Sequence, residues 1–534
     1  MKRKKSLRLL AIFVLSIFVL GACTPTAPTA PTGTPATPAT ASESPATATL
    51  LDTGDIPASS RDVINIQLSA DPGNITAFGS THVAARRVSR QIFEPLIELG
   101  FDGQIVGVLA EDWERDGINY IIHLRQGVRF HDGAYFTASD ALYSIRQARE
   151  SAPMRRFTDF IDVENSRAID DHTLELVMEA PYLFTLTSLG TVFMVSEAAH
   201  TADDETLIGT GPYMFYDWVL GSSVTLQRFE DYWDGVAPIQ TAVFRVIVEP
   251  AQRVIELEVG GVDLVLDVPE FDVARLQSNP QFDVLAHVGN RSAGFFFNNS
   301  SYSVANNLYL RRAIAYSIEK EGINNAVFGG LARPAVAIVT EQFRDFNPEW
   351  KTFANNYYQF NLDRAQYYFE RSGLPAGTEI NIMTNDNPRF INLAEILQAQ
   401  LGQIGLVVVI STYESAVFED NRRNPAYGWD ISTGDYGSAA GHILSKAGAF
   451  FAATGSNRSF YEGAEFNEII EHARFEMDSQ RVAYYSDRVA QILMEDVPAY
   501  MIIQMIEYYA WHSDLQGFRV LGQNLLRVDH LYFR

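Results

Sequence analysis

The chain has a single cysteine in 534 residues, Cys23. No disulfide can form within the chain, and zinc or iron–sulfur sites built on cysteine are excluded. Basic residues are few beside acids: 41 Lys and Arg against 65 Asp and Glu, a net charge of −24. Nucleic acid is therefore not expected as a partner, because phosphate binding needs clustered Lys and Arg. The ten histidines form no H-E-x-x-H motif and no i, i+4 pair, so neither a metal cage nor a cofactor is expected. Enzyme motifs are equally sparse. Ser317-Ile318-Glu319-Lys320 matches S-x-x-K but lacks a companion motif and reads as chance spacing. His131-Asp132 could serve as an acid/base pair, but the Asp132-Gly133 step favours a hairpin corner. Gly209-Thr210-Gly211-Pro212 lacks phosphate-loop spacing and reads as a turn.

The first 60 residues show a different pattern. Lys2, Arg3, Lys4, Lys5 and Arg8 precede an apolar stretch at 9–20. That stretch is shorter than the ~20 residues of a membrane span and fits the h-region of a secretory signal. It ends in Leu20-Gly21-Ala22-Cys23, which resembles a bacterial lipobox. The resemblance implies a signal at 1–22, cleavage before Cys23 and lipidation of its thiol. Residues 24–60 are rich in Thr, Pro, Ala and Ser and cannot bury enough surface to fold. Residues 23–60 are expected to be a lipidated cysteine and tether, with a mean reach of roughly 35 Å. No later apolar stretch is long enough to cross a bilayer.

Residues 61–534 have ample apolar content for a core, and their length suggests two or three domains. The pattern is mixed α/β. Residues 63–68 alternate as a half-buried strand, and 83–99 carry Val88, Ile92 and Leu96 at helical spacing, with Pro95 discordant. Asp116-Gly117 marks a hairpin turn, and Thr137 with Asp140 marks a capping box for a helix bearing Ala141, Leu142, Ile145 and Ala148. A helix over 389–404 should stop at Gly405 and be followed by a buried strand, LVVVIS. Further strands and helices are expected at 173–178, 224–229, 243–248, 293–297, 308–320, 363–372 and 480–495.

Several ordered blocks carry a family resemblance. They are QIFEPLIELGFDGQIVGVLAEDWERDGINYIIHLRQGVRFHDGAYFTASDALYSIRQA at 91–148, GTGPYMFYDWVLGSSVTLQRFEDYWDG at 209–235 and LRRAIAYSIEKEGINNAVFGGLARPA at 310–335. NLDRAQYYFERSGLP at 361–375, AEILQAQLGQIGLVVVI at 394–410 and AQILMEDVPAYMIIQ at 490–504 follow. Together they resemble the bacterial extracellular solute-binding proteins, family 5, the receptors of ABC importers for peptides, nickel chelates and some oligosaccharides. The resemblance implies an α/β, two-lobed, type II periplasmic-binding-protein-like fold with an inserted subdomain. Its lobes would be joined by two crossings around a ligand cleft. The first lobe would comprise 61–104, 209–292 and 505–534, the inserted subdomain 105–208 and the second lobe 293–504.

It also implies a non-catalytic, extracytoplasmic receptor, membrane-bound only through its lipid and monomeric. Such a receptor passes its solute to the transmembrane subunits of an ABC permease. A short peptide is the first expectation, an oligosaccharide the second and a nickel chelate the third; a tethered surface hydrolase is the rival class. In the peptide-binding members an aspartate of the second lobe meets the ligand's ammonium, and Asp435 in YGWDISTGDYGSAAGHIL matches it. The family often has an Asp-Pro or Glu-Pro just after it, where this chain reads Ser438-Ala439-Ala440. Arg389 stands near the arginine that meets the carboxylate in dipeptide-type members, and a fork of this kind suits a carboxylate. His442 could face an anionic chelate. Trp429, Tyr436, Tyr213 and Phe297 lie in cleft-forming blocks, where aromatics could stack on a ligand.

Overall fold

The computed structural model describes residues 56–100, 104–336, 338–437, 441–521 and 524–534. Cys23, the leader and almost all of the tether lie outside these residues, as do Ser438, Ala439 and Ala440.

An eleven-stranded sheet runs through the described chain. Its order is Val407–Tyr413, Glu379–Asn385, Ile431–Tyr436, Phe282–Phe297, Ala499–His512, Leu264–Val265, Val63–Leu68, Thr241–Val246, Ser223–Arg228 and Tyr213–Val219, with Arg333–Pro334 paired to Ala499–His512. The strand expected at 63–68 is present and buries Ile64, Ile66 and Leu68. Two strands are unusually long, Phe282–Phe297 and Ala499–His512. They run antiparallel to each other and cross between the two lobes.

In the first lobe, Ile64, Ile66, Phe244 and Leu264 share a core with the inserted region, represented by Ile122, Leu142, Ile145 and Leu174. That region holds a four-stranded sheet, ordered Ala110–Asp116, Asn119–Leu124, Thr173–Met178, Ile161–Asp170. The expected hairpin forms there, with Asp116 paired to Asn119 and Gly117 at φ +64°. The capping box also forms: the Asp140 carboxylate accepts the Thr137 N–H (2.9 Å) and hydroxyl (2.7 Å) at the start of helix Ala138–Glu150. In the second lobe the sheet buries Phe295, Phe297, Ile382 and Ile502 on one face. Phe296, Tyr436, Leu444 and Met501 are buried on the other.

Two local expectations are corrected. The helix expected over 83–99 ends at Ile92, because Pro95 cannot continue it; Pro95 forms a β-bridge with Phe193 and strand Ile97–Leu99 follows. Val407–Tyr413 is an edge strand, not a buried one, with Val407 and Val409 exposed. Helix Pro388–Gly402 stops short of Gly405, which supplies a φ of +85° in the turn to that strand.

The glycines of Gly209-Thr210-Gly211 have a packing reason. A Cβ on Gly209 would sit 2.1 Å from the Ile92 carbonyl oxygen, and one on Gly211 2.4 Å from that of Gln91. This loop lies against the end of helix Val83–Ile92 and could not do so with side chains.

Candidate functional site

The long strands lose their register where they pass from lobe to lobe. Val288 pairs with Ile506 and Ser292 with Gln504, and the regular pairing is broken between them. Ladder pairing with Leu264–Val265 lies on one side of the break, and pairing with Ile431–Tyr436 on the other. A Cβ on Gly289 would stand 3.2 Å from the Glu507 carboxylate, so the strands approach closely here.

A charged cluster occupies this junction. The Arg291 guanidinium donates to the Asp435 carboxylate. Both are accessible, at 43% and 20% of their side-chain surfaces. Burial works against the charge on Arg291, but the Asp435 carboxylate, with Glu507 beyond it, holds its pKa above the ordinary value. Glu507 accepts from the Tyr509 hydroxyl at 2.7 Å and from the Asn524 amide at 2.5 Å. Burial raises its pKa, with Asp267 adding to the rise, against the pull of the Tyr509 hydroxyl, Arg87 and Arg291. Lys446, on helix Ile443–Phe451, is 2% exposed, and its amine has no hydrogen-bond partner among the described residues. Burial and then repulsion from Arg291 lower its pKa to about 7, with Asp435 opposing.

Asp435 lies near the end of strand Ile431–Tyr436, beside the junction, and its carboxylate already has a cationic partner. Arg389 starts a helix of the second lobe and donates to Glu270, at the start of helix Glu270–Gln277 in the first. It bridges the lobes. The inserted region also touches the second lobe, where the Leu183 N–H donates to the Arg474 carbonyl at 2.8 Å and where the Phe184 ring meets His442 at 5.3 Å.

His442 is corrected from ligand contact to helix terminus. Its Nδ1 lies 2.9 Å from the Asp345 carboxylate. That distance puts the proton on Nδ1, so the Leu444 N–H, 3.3 Å away, has no lone pair to meet there. Asp345 caps the helix instead, accepting the Ile443 N–H at 3.1 Å and the Ser486 hydroxyl at 2.8 Å. His442 is 5% exposed and offers no surface to a solute.

The four aromatic candidates are likewise core residues. Tyr213 is fully buried, and its hydroxyl donates to the Ile239 carbonyl at 2.9 Å. Phe297 is fully buried edge-on to Phe295, with ring centres 5.2 Å apart. Trp429 packs with Met383 and Phe418. Tyr436 lies against Phe296 at 4.2 Å. Successive side chains of a strand point to opposite faces, so the step from Asp435 to Tyr436 leads from the junction into the core. Arg291, Lys446, Glu507 and Glu270 were not singled out from sequence. A lone arginine before the apolar run SAGFFF was the available signal for Arg291.

The alternative chemistries find little support in the geometry. The Ser317 hydroxyl donates to the Ile314 carbonyl at 2.8 Å, and the Lys320 amine to that of Ala335 at 2.8 Å. His131 Nδ1 lies 3.3 Å from the Gly209 N–H, which donates to it, and Nε2 is 2.9 Å from the Gly211 carbonyl, so it fastens a loop as a neutral ring. Burial lowers its pKa to about 4. Asp234, Asp529 and His530 could bring ligand atoms within 4.8 Å of one another. Arg527 already supplies positive charge there, bonded to Asp529 and 3.3 Å from Asp234. A cavity of about 430 Å³ lies inside the second lobe beside Lys320, Tyr358 and Tyr500. None of the residues singled out from sequence as ligand contacts lines it. No helix of the described residues is long and apolar enough to cross a membrane.

The family model of the bacterial extracellular solute-binding proteins, family 5, matches residues 104–458. The chain is 27% identical over 459 residues to di/tripeptide-binding protein 2 of Pseudomonas aeruginosa, covering 78% of this chain and 84% of that one. It is 25% identical over 427 residues to heme-binding protein A of Haemophilus influenzae, covering 72% and 76%. Its fold matches that of an ABC transporter substrate binding protein from Listeria monocytogenes with a TM-score of 0.79, at 19% identity, over 89% of this chain and 99% of that one.

Proposed function

The chain belongs to the bacterial extracellular solute-binding proteins, family 5, and from that premise we propose that it is a non-catalytic receptor that captures a short peptide between its lobes. In this reading it hands the solute to the transmembrane subunits of an ABC permease. The lobes divide at the two crossings, near 292/293 and 504/505. The observation that carries the reading is the cluster of Arg291, Asp435, Glu507 and Lys446 at the crossings. Ligands of two-lobed proteins sit at domain interfaces, and a partly accessible cluster of charged groups suits a small charged solute such as a peptide. The relative named for di- and tripeptides supports the choice of solute.

Cys23 is the proposed anchor: lipidation of its thiol would hold an otherwise soluble monomer at the outer face of a membrane.

Thermal shift of the purified protein against di- and tripeptides, oligosaccharides, nickel chelates and hemin tests the receptor reading. Stabilisation by peptides without recoverable products is expected. Turnover would replace the receptor by a hydrolase, and a response to sugars alone would replace the peptide.

A further inference from the structure

The charges around Asp435 do not suit a ligand's ammonium. Asp435 already accepts from Arg291, a residue of the same chain. A ligand cation would have to displace a guanidinium that is anchored on the crossing strand. The wider balance points the same way. Glu507 is occupied by Tyr509 and Asn524, with Arg87 and Arg291 close enough to stabilise its charge. Asp267 adds a negative charge near Glu507 but is held by Arg253, so four basic groups, Arg87, Arg253, Arg291 and Lys446, stand against three carboxylates. Lys446 is the clearest sign of a missing partner: a buried amine, 2% exposed, with no acceptor among the described residues. A buried ammonium without an acceptor is costly, and an anion at the junction would supply the acceptor.

Arg291 can receive such an anion. A guanidinium has five N–H donors in a fixed fork. Its contact with Asp435 engages one nitrogen and one carboxylate oxygen, and 43% of the side chain is accessible. Arg389, the arginine suggested by the sequence for this task, is taken up by Glu270. We infer that Arg291, held in place by Asp435 and flanked by the unpaired Lys446, reads a carboxylate of the solute, and that the receptor selects acidic or carboxylate-terminated ligands without needing a free amino terminus. Asp435 is then a positioning residue that aims the guanidinium.

This inference rests on the receptor reading, and its test separates the two. Titration calorimetry is run on one dipeptide in free, N-acetylated and C-amidated forms, and on two non-peptide carboxylates, N-acetylglycine and succinate. Acetylation is expected to change Kd by less than threefold, and amidation to weaken binding at least tenfold. Arg291→Met should abolish the penalty for amidation; by freeing Asp435, it should also create a preference for the free amino terminus. A purely structural Arg291 would not produce that reversal. Arg291→Lys should keep part of the original selectivity. Circular dichroism checks that the variants fold.

If acetylation abolishes binding while amidation is tolerated, Asp435 is the ammonium site and the inference falls with the receptor reading intact. If no peptide binds but the small carboxylates bind in an Arg291-dependent way, the peptide reading falls and the carboxylate site stands. If no carboxylate binds, or if binding is indifferent to Arg291, the inference is overturned.

Discussion

Buried charge is handled differently in the first lobe and at the lobe junction. In the first lobe Arg90 bonds Glu98 at 3.0 Å and lies 4.0 Å from Glu94. Glu94 accepts from Tyr232 at 2.7 Å, Trp233 at 2.9 Å and Thr210 at 2.9 Å. Arg527 holds Asp529 and Asp234. Arg86 departs from this pattern, its guanidinium 3.7 Å from the centre of the Phe193 ring and lowered to about 9 by burial and then by Arg90. At the junction Lys446 has no acceptor among the described residues, and Arg291 and Asp435 remain accessible. Paired buried charges fix a fold; unpaired ones beside an opening are poised for something that arrives. The first network serves structure; the second is the one proposed to serve binding.

The largest effect is expected from breaking the first network. Glu94→Gln preserves shape but turns an amide toward three donors and withdraws an anion from Arg90. Breaking a buried pair in this way costs ~3–5 kcal/mol. Calorimetric unfolding should show the first lobe melting earlier while ligand affinity in the folded protein stays unchanged. Equal losses of stability and affinity would erase the distinction between the regions.

Lys446→Met should have the opposite sign. Folding lowers the lysine pKa from 10.5 to about 7. Between those values the unfolded chain binds more protons than the native one, so Lys446 makes stability rise with pH across the window. The penalty is complete below about pH 7 and vanishes above about 10.5. Replacement by Met should therefore stabilise the protein most near pH 7, by up to ~5 kcal/mol at ~1.4 kcal/mol per pKa unit, with the gain shrinking as pH rises. Urea unfolding of both proteins at pH 7, 8.5 and 10 measures it. Lys320, lowered to about 7 by the same cause, contributes a similar slope that the variant leaves in place. A gain that does not vary with pH would mean that the Lys446 pKa does not change on folding, and a loss of stability would mean that Lys446 is charged and paired in the native state.

The anchor proposed at Cys23 gives a smaller, sharper contrast, between the two ends of the proposed tether. Cys23→Ser should leave ligand affinity unchanged within about twofold while the chain fails to be lipidated. Mass spectrometry of the native N-terminus decides, and an unmodified mature start elsewhere than Cys23 removes the proposal.

Local patterns made much of the fold legible. Alternation placed Val63–Leu68, and the Thr137–Asp140 spacing placed the start of a helix. The proposed binding region was legible in part. Asp435 was found through the family blocks, but its partner was not, because Arg291 and Asp435 are 144 residues apart and meet only once two strands pair. The burial of the aromatic candidates was hidden for a related reason. Sequence position near a cleft does not say whether a ring reaches the opening, and Phe297 and Tyr436 are buried on opposite faces of the sheet. Lys446 looks like any helix lysine until the packing around it is known.

The smallest expected effect concerns Arg389, and it tests whether that residue belongs with the junction's binding groups or with its framework. Its guanidinium joins Glu270 across the lobes, with both side chains partly exposed, at 28% and 21%. A pair of this exposure contributes ~1 kcal/mol or less, about fivefold in an equilibrium at ~1.4 kcal/mol per tenfold. If the pair acts only when the lobes are together, its loss lowers the population of the closed form and weakens the apparent affinity by the same factor. Glu270→Gln and Arg389→Gln should each raise Kd two- to fivefold, and the double variant should do no worse than either. Small-angle scattering of the unliganded proteins should show the same modest opening in all three. If Arg389→Gln weakens binding more than thirtyfold while Glu270→Gln changes nothing, Arg389 touches the ligand, and the carboxylate has a second arginine beside Arg291.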